Sequence, residues 1–274
     1  MTFDFELVGK IGSMALIDEG GRDINYNIIA RLGKELIPGY IWVTSGAVEI
    51  GRLDYHNRNG KFLTGDEEDA KTDYAAQGQA ILIQTYRQFI NSKYSVRQIL
   101  VEHQHFNDET KRDHLKQALL RCPAQNAIPI INYNDAICSV ENMKLEIMSL
   151  MKKKSKVVMG LDNDETASQI ACLVKTKTLL ILSNVDGILS DPKDSGTLVD
   201  EISGKDIYEL IDNISSYQHF CEGSSRKGAA GAKVKLEYIK EPVKLGTEVV
   251  IANSKYSLKD ILSGNAPRTW IGVR

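Results

Sequence analysis

No apolar run in this chain of 274 residues approaches the roughly 20 residues that a membrane-crossing helix needs. The opening stretch, MTFDFELVGK, carries an acid at its fourth residue and no long apolar core, so it does not read as a secretory signal. Cysteine is scarce. Cys122, Cys138, Cys172 and Cys221 stand far apart with no C-x-x-C, and three of them sit among apolar or small neighbours, so reduced buried thiols are expected. Neither sign of charge dominates: 34 basic against 36 acidic side chains leave a net charge of −2, with no bulk attraction to nucleic acid. Several motifs are missing as well. No G-x-G-x-x-G follows the first apolar segment, which disfavours a dehydrogenase, and there is neither a Walker A loop nor the G-x-S-x-G elbow of a hydrolase. A cytoplasmic globular protein is the expectation.

Short apolar runs rich in β-branched residues alternate with longer helical patterns. FELVGKIG, IPGYIWVT, VRQILV, AIPIINY, TLLILS and GTEVVIA read as strands. NYNIIARLGKEL, DYAAQGQAILIQTYRQFI, KRDHLKQALLRC and residues 164–175 and 229–240 read as helices. This alternation predicts an α/β fold, a mostly parallel sheet covered on both faces, and a single domain over residues 1–274. Residues 56–71 read as a polar loop, 149–156 as a basic run ahead of a strand, and 191–201 as a turn. No internal repeat or low-complexity tract is present.

In a parallel sheet, ligands gather where the strands end at their carboxyl side. Polar clusters fall at those points: GKIGS, TSGAV, NYND and SNVDG. Lys10 with the Gly12-Ser13 turn reads either as a plain connection or as an anion site. Ser45 reads as a helix cap or as a donor to a carboxylate or phosphate. SSRKGAAGAKVKL (224–236) reads as a close-packed loop, or as a polyphosphate site served by Lys233 and Lys235. Asp162 and Asp164 flank Asn163 where a helix begins, a position at which acids cap free N–H groups. His103 and His105, on one face if their segment is a strand, lack the further ligands that zinc requires, so no metal site is expected.

Taken in order, GKIGSM (9–14), TSGA (44–47), AAQGQ (75–79), PIINYND (129–135), LDNDETAS (161–168), LSNVDGI (182–188) and GAAGAKVK (228–235) resemble the amino acid kinase family, and within it the glutamate 5-kinases. The resemblance covers nearly the whole chain, and PIINYND followed by DNDETAS is its most specific part. It implies a three-layer αβα sandwich and transfer of the γ-phosphoryl group of ATP, with Mg²⁺ carried on the phosphates, to the side-chain carboxylate of L-glutamate.

The resemblance also implies roles for individual residues. Lys10, Asp164 and Lys235 become catalytic, with Asp164 organising the two lysines. Ser45, Asn134, Asp135 and Asn163 bind the acceptor, Asp135 taking its ammonium group. Lys10, Gly12, Ser183, Asn184, Asp186, Gly228, Gly231 and Lys235 line the nucleotide. Relatives assemble as dimers or tetramers, and feedback by proline belongs to the same expectation. Nothing after Arg274 corresponds to the RNA-modification-type accessory domain of some relatives, which implies a short form.

Several positions depart from the family pattern. Tyr133 replaces an acid, Asn184 an aspartate, Met14 a small hydroxyl residue, and Ala229 and Ala230 residues of a glycine-rich loop. The stretch 141–160 is also longer than usual. Two alternatives stay open: a kinase of the same fold acting on another carboxylate, a carbamate or a nucleoside monophosphate, and a non-catalytic nucleotide-binding regulator. The second is expected to lose one of Lys10, Asp164 and Lys235, and all three are present.

Overall fold

The computed structural model describes residues 2–18, 20–138, 140–154, 157–160, 162–190, 197–222 and 229–274. Counted along the chain, the strands are β1 (Phe5–Ile11), β2 (Tyr40–Thr44), β3 (Ser95–Val101), β4 (Ala127–Tyr133), β5 (Thr176–Ser183), β6 (Glu201–Gly204), β7 (Glu248–Asn253) and β8 (Arg268–Val273). The helices are α1 (Tyr26–Glu35), α2 (Ala47–Asn59), α3 (Glu67–Phe89), α4 (Gln104–Asn107), α5 (Glu109–Leu120) and α6 (Val140–Met151). They continue with α7 (Asn163–Val174), α8 (Ile207–Glu222), α9 (Ala229–Tyr238), α10 (Lys240–Lys244) and α11 (Leu258–Ser263). The fold is α/β with mostly parallel strand pairing, as the alternation of periods predicts.

The chain divides into two compact units. The first comprises Met1–Ile11, Gly39–Val43 and Asp164–Arg274; the second comprises Gly12–Pro38 and Thr44–Asn163. In the first unit the strands lie in the order β2-β1-β5-β7-β8-β6. β1 pairs in parallel with β5, and β5 with β7, while β8 runs antiparallel to β7. The apolar runs that mark β1, β5 and β7 are buried almost throughout, as strands covered on both faces must be. Gly9 has no side chain because the Trp42 ring lies there: a Cβ would stand 2.2 Å from it.

In the second unit β3 and β4 pair in parallel, in register from Ser95 opposite Ala127 to Val101 opposite Tyr133. Helices α2 and α3 touch backbone to backbone. A Cβ on Gly51 would sit 1.8 Å from the Tyr74 carbonyl oxygen, and one on Gly78 1.8 Å from that of Ala47. The glycine of AAQGQ is therefore a packing requirement.

Three expectations need correction, and two strands went unread. Residues 56–71 are mostly helix ends. Gly60 closes α2 in the left-handed region and Asp66 caps α3, accepting from Glu68 N and Asp69 N, so only 60–66 form a loop. The polarity there belongs to caps and to a first turn rich in acids. No strand follows the basic run, since residues 157–160 are irregular. His103 and His105 lie at the start of α4, not on a strand. The edge strands β6 and β8 gave no signal, being only four and six residues long with mixed burial.

Cys122 is buried, Cys138 and Cys172 are half-buried, and none of the three is in a disulfide. The 191–196 part of the expected turn lies outside the described residues. Among the described residues no helix is long and apolar enough to cross a membrane.

Candidate active site

In the first unit three ionic side chains meet, two lysines sharing one carboxylate. Lys10 enters from β1, where it lies opposite Ile181 of β5, and places Nζ 2.7 Å from Asp164 Oδ1. Lys235 enters from the second half of α9 and places Nζ 2.9 Å from Asp164 Oδ2. The side chains of Lys10 and Asp164 are 8% exposed and that of Lys235 is 23% exposed. Burial alone raises the Asp164 carboxyl, but the charges and hydrogen bonds of Lys10 and Lys235 outweigh it and hold the group below its usual range. Asp164 stands in the first turn of α7, where an acid also suits the helix dipole. Its oxygens are aimed at the lysines. One anion between two cations leaves a net positive charge for a polyanionic ligand.

The ends of β5 and β7 build a second polar cluster in the same unit. Ser183 Oγ accepts from Val185 N at 3.2 Å, folding the SNVD turn. Asn253 Nδ2 donates to Asp186 Oδ1 at 2.9 Å and to the Asn184 carbonyl at 3.2 Å. Lys255 Nζ lies 2.9 Å from Asp186. Asp186 is thus an organiser of its turn as well as a candidate ligand. Asn253 and Lys255 were missed from the sequence, although the polar NSK after the apolar strand GTEVVIA is the same signal read at the other strand ends. Gly231 lies within α9, and Gly228 falls outside the described residues.

The second unit holds the remaining candidates. Gly12 follows β1 in extended conformation and opens a short 3₁₀ turn, Ser13–Ala15. Ser45 does not cap α2, because Gly46, at φ +99°, is the N-cap and no side chain caps it. A left-handed residue is needed there, and glycine meets it without strain. The Ser45 carbonyl accepts from Thr44 Oγ1 at 3.1 Å.

At the end of β4 a buried amide relay runs from Gln79 through Asn132 to Asn163. Asn132 Nδ2 donates to Gln79 Oε1 at 2.8 Å, and Asn163 Nδ2 donates to Asn132 Oδ1 at 3.0 Å. Tyr133 N donates to Asn132 Oδ1 at 2.9 Å and to Asn163 Oδ1 at 3.2 Å. The relay pins Asn163 to the strand end and gives the second glutamine of AAQGQ its task. Asn134 donates from Nδ2 to Glu102 Oε1 at 3.0 Å.

Asp135 is half-buried and has no ion-pair partner among the described residues. Burial, and then the charge of Glu49, push its carboxyl up to about 6. A carboxylate left in this state is prepared to receive a cation from a ligand. Tyr133 is buried, and its hydroxyl faces Cys138 Sγ at 3.4 Å and Met143 Sδ at 3.5 Å. Among the described residues no group of three or more His, Cys, Asp or Glu side chains could hold a metal ion.

The sequence pattern of the amino acid kinase family matches residues 7–253. The chain belongs to the amino acid kinase family. It is 30% identical over 258 residues to the glutamate 5-kinase of Streptococcus suis (strain 05ZYH33), covering 91% of this chain and 64% of that protein. It is 29% identical over 277 residues to the glutamate 5-kinase of Clostridium perfringens (strain 13 / Type A), covering 94% of this chain and 91% of that protein. The chain therefore spans just under two thirds of the length of the first relative and nearly all of the second. Among solved structures it is similar in fold to the carbamate kinase of Giardia lamblia bound to AMP-PNP. The TM-score is 0.58 at 14% identity, covering 98% of each chain.

Proposed function

We propose that this member of the amino acid kinase family transfers the γ-phosphoryl group of ATP to the side-chain carboxylate of L-glutamate, giving glutamyl 5-phosphate at the head of proline synthesis. The observation that carries this reading is the Asp164 carboxylate with one lysine ammonium on each oxygen. A carboxylate oxygen of the acceptor attacks the γ-phosphorus, the bond from that phosphorus to the β,γ-bridging oxygen breaks, and ADP leaves with the electron pair. The attacking group is already ionised, so no base is needed. Catalysis then reduces to holding two anions together and neutralising the charge spread over the transferring phosphoryl oxygens. Lys10 and Lys235 supply that charge. Asp164, held ionised by the same lysines, orients them and is too weak a base to take part in proton transfer.

On this reading Ser183, Asn184, Asp186 and the start of α9 receive the nucleotide, with Gly12, Gly228 and Gly231 as its glycine contacts. Ser45, Asn134, Asp135 and Asn163 receive the amino acid, with Asp135 meeting its ammonium group. A magnesium ion would be carried mainly by the phosphates of the nucleotide, as such ions usually are in phosphoryl-transfer sites. When bound, that ion screens the phosphate charge. Homo-oligomeric assembly and feedback by proline belong to the same proposal. The alternative is a kinase of this family with another small acceptor. It is favoured by Tyr133, which stands where the resemblance expects an acid.

The test is ATP turnover with Mg²⁺ and hydroxylamine trapping, with glutamate, aspartate, N-acetylglutamate, UMP or no acceptor. Hydroxamate with glutamate alone supports the proposal. Turnover with a different acceptor moves the specificity, and silence with all of them, in folded protein that binds ATP, refutes catalysis.

A further inference from the structure

Between Asn134 and Asn163, both assigned above to the acceptor, α4 grips the chain at two points, on α6 and at residues 157–160. His103, at the N-terminal edge of α4, brings Nε2 within 2.9 Å of Glu146 Oε2 on α6. Four residues later Asn107 holds the stretch that leaves α6. Its Nδ2 donates to the Val158 carbonyl at 2.8 Å, its Oδ1 accepts from Val158 N at 2.9 Å, and its own carbonyl accepts from Lys154 Nζ at 2.6 Å. Asn107 Nδ2 also donates to the His103 carbonyl at 3.0 Å, which joins the two grips. His103 and Asn107 are both buried.

Tyr133 adds a third hold through Cys138 and Met143, at the start of the segment. Beside these grips lies a cleft of about 410 Å³ whose lining includes Lys111, Ser149, Leu150 and Lys154. On its other face α6 exposes Leu145, Met148 and Met151, so nothing in the described chain supports it from outside. Its position depends on these few polar grips and on buried Met143 and Ile147.

We propose that α6 and residues 157–160, docked on α4, act as a strap that sets acceptor affinity, with His103 and Asn107 as positioning residues acting through Glu146 and Val158. The inference rests on the reading of Asp135 and Asn163 as acceptor-binding groups. The short connection between β4 and α6 carries Asp135. Releasing α6 frees one end of that connection while β4 holds the other, so the carboxylate loses its fixed direction. The nucleotide residues lie on other elements and are untouched by the release.

The test uses the full chain with Glu146→Lys, and with Glu146→Gln as a milder second variant, both at an exposed side chain. Initial rates are measured against acceptor and ATP separately, together with hydrogen exchange over 134–151. The strap account predicts faster exchange in this segment and an acceptor KM raised roughly three- to tenfold, the loss of one part-exposed charge-assisted bond. It predicts an ATP KM and a saturated kcat within about twofold of wild type. A general structural defect would move both KM values and kcat together, and that result overturns the proposal. So does an unchanged acceptor KM beside faster exchange, or unchanged exchange. An inactive wild type overturns the acceptor reading, and the strap with it; an active wild type with unaltered variants overturns the strap alone.

Discussion

Replacing Asp135 with asparagine is expected to make the second unit more stable while disabling it as an acceptor site. In the unfolded chain this carboxyl titrates near 3.8; in the fold, burial and the Glu49 charge bring it to about 6. The fold therefore binds the proton more tightly than the unfolded chain does, and stability falls as pH rises from about 4 to about 6. Above that window the ionised group costs about 3 kcal/mol at most, at ~1.36 kcal/mol for each tenfold change in proton affinity. The amide of Asp135→Asn would keep the polarity and remove the charge, so a gain of about 1–3 kcal/mol is expected at pH 8. At pH 4, where the carboxyl is mostly protonated in the fold, the gain should shrink to below about 1 kcal/mol. Urea unfolding of wild type and Asp135→Asn at the two pH values measures this directly. In parallel, the acceptor KM should rise roughly 10- to 100-fold from loss of one charged contact. A variant less stable at pH 8, or equally stabilised at both pH values, would refute the reasoning.

Other outcomes follow from the same geometry. The acceptor KM of the wild type should climb as pH falls below about 6, because protonated Asp135 no longer attracts an ammonium group, while the ATP KM stays flat through that range; parallel pH profiles for both ligands test it. Asp164→Asn leaves Lys10 and Lys235 facing each other without their anion. It should lower stability at neutral pH by a few kcal/mol, roughly 2–4, with kcat falling at least 10²-fold. The Asp164 carboxyl is depressed, so its stabilisation is present above about 4 and lost as pH drops through its folded value; the variant and wild type should converge in acid. Gly78→Ala drives a Cβ into the Ala47 carbonyl and should cost about 3 kcal/mol or prevent folding, read by thermal melts, whereas Ala80→Gly two residues along the same helix should cost no more than about 1 kcal/mol.

Much of the fold was legible because long apolar periods survive in a single sequence. β1, β4, β5 and β7 are buried on both faces and announce themselves as continuous apolar runs. What failed to register was short or locally ambiguous. β6 and β8 carry weak patterns, α6 is apolar on both its buried and exposed faces, and the acids of 66–69 belong to a helix start that reads as a loop when composition alone is weighed. In the candidate site, Lys10, Asp164 and Lys235 were nameable through the motifs that resemble the family, since each alone also reads as a plain turn, cap or solvated lysine, and their convergence is a property of the fold. The Gln79–Asn132–Asn163 relay was not nameable, since neutral amides 53 and 31 residues apart carry no local pattern. Of the two readings of Ser45, the cap falls away because the adjacent glycine takes the left-handed position that the helix start requires.

The most direct test of the central account is the yield of glutamyl hydroxamate from Lys235→Ala and wild type at equal concentrations of folded protein, with saturating ATP, Mg²⁺ and glutamate. The account predicts a clear yield from wild type and at least a 10²-fold loss in the variant, compared as folded protein with ATP raised to saturation for each. Equal yields would contradict it, by removing Lys235 and the carboxylate it shares with Lys10 from the phosphoryl-transfer step.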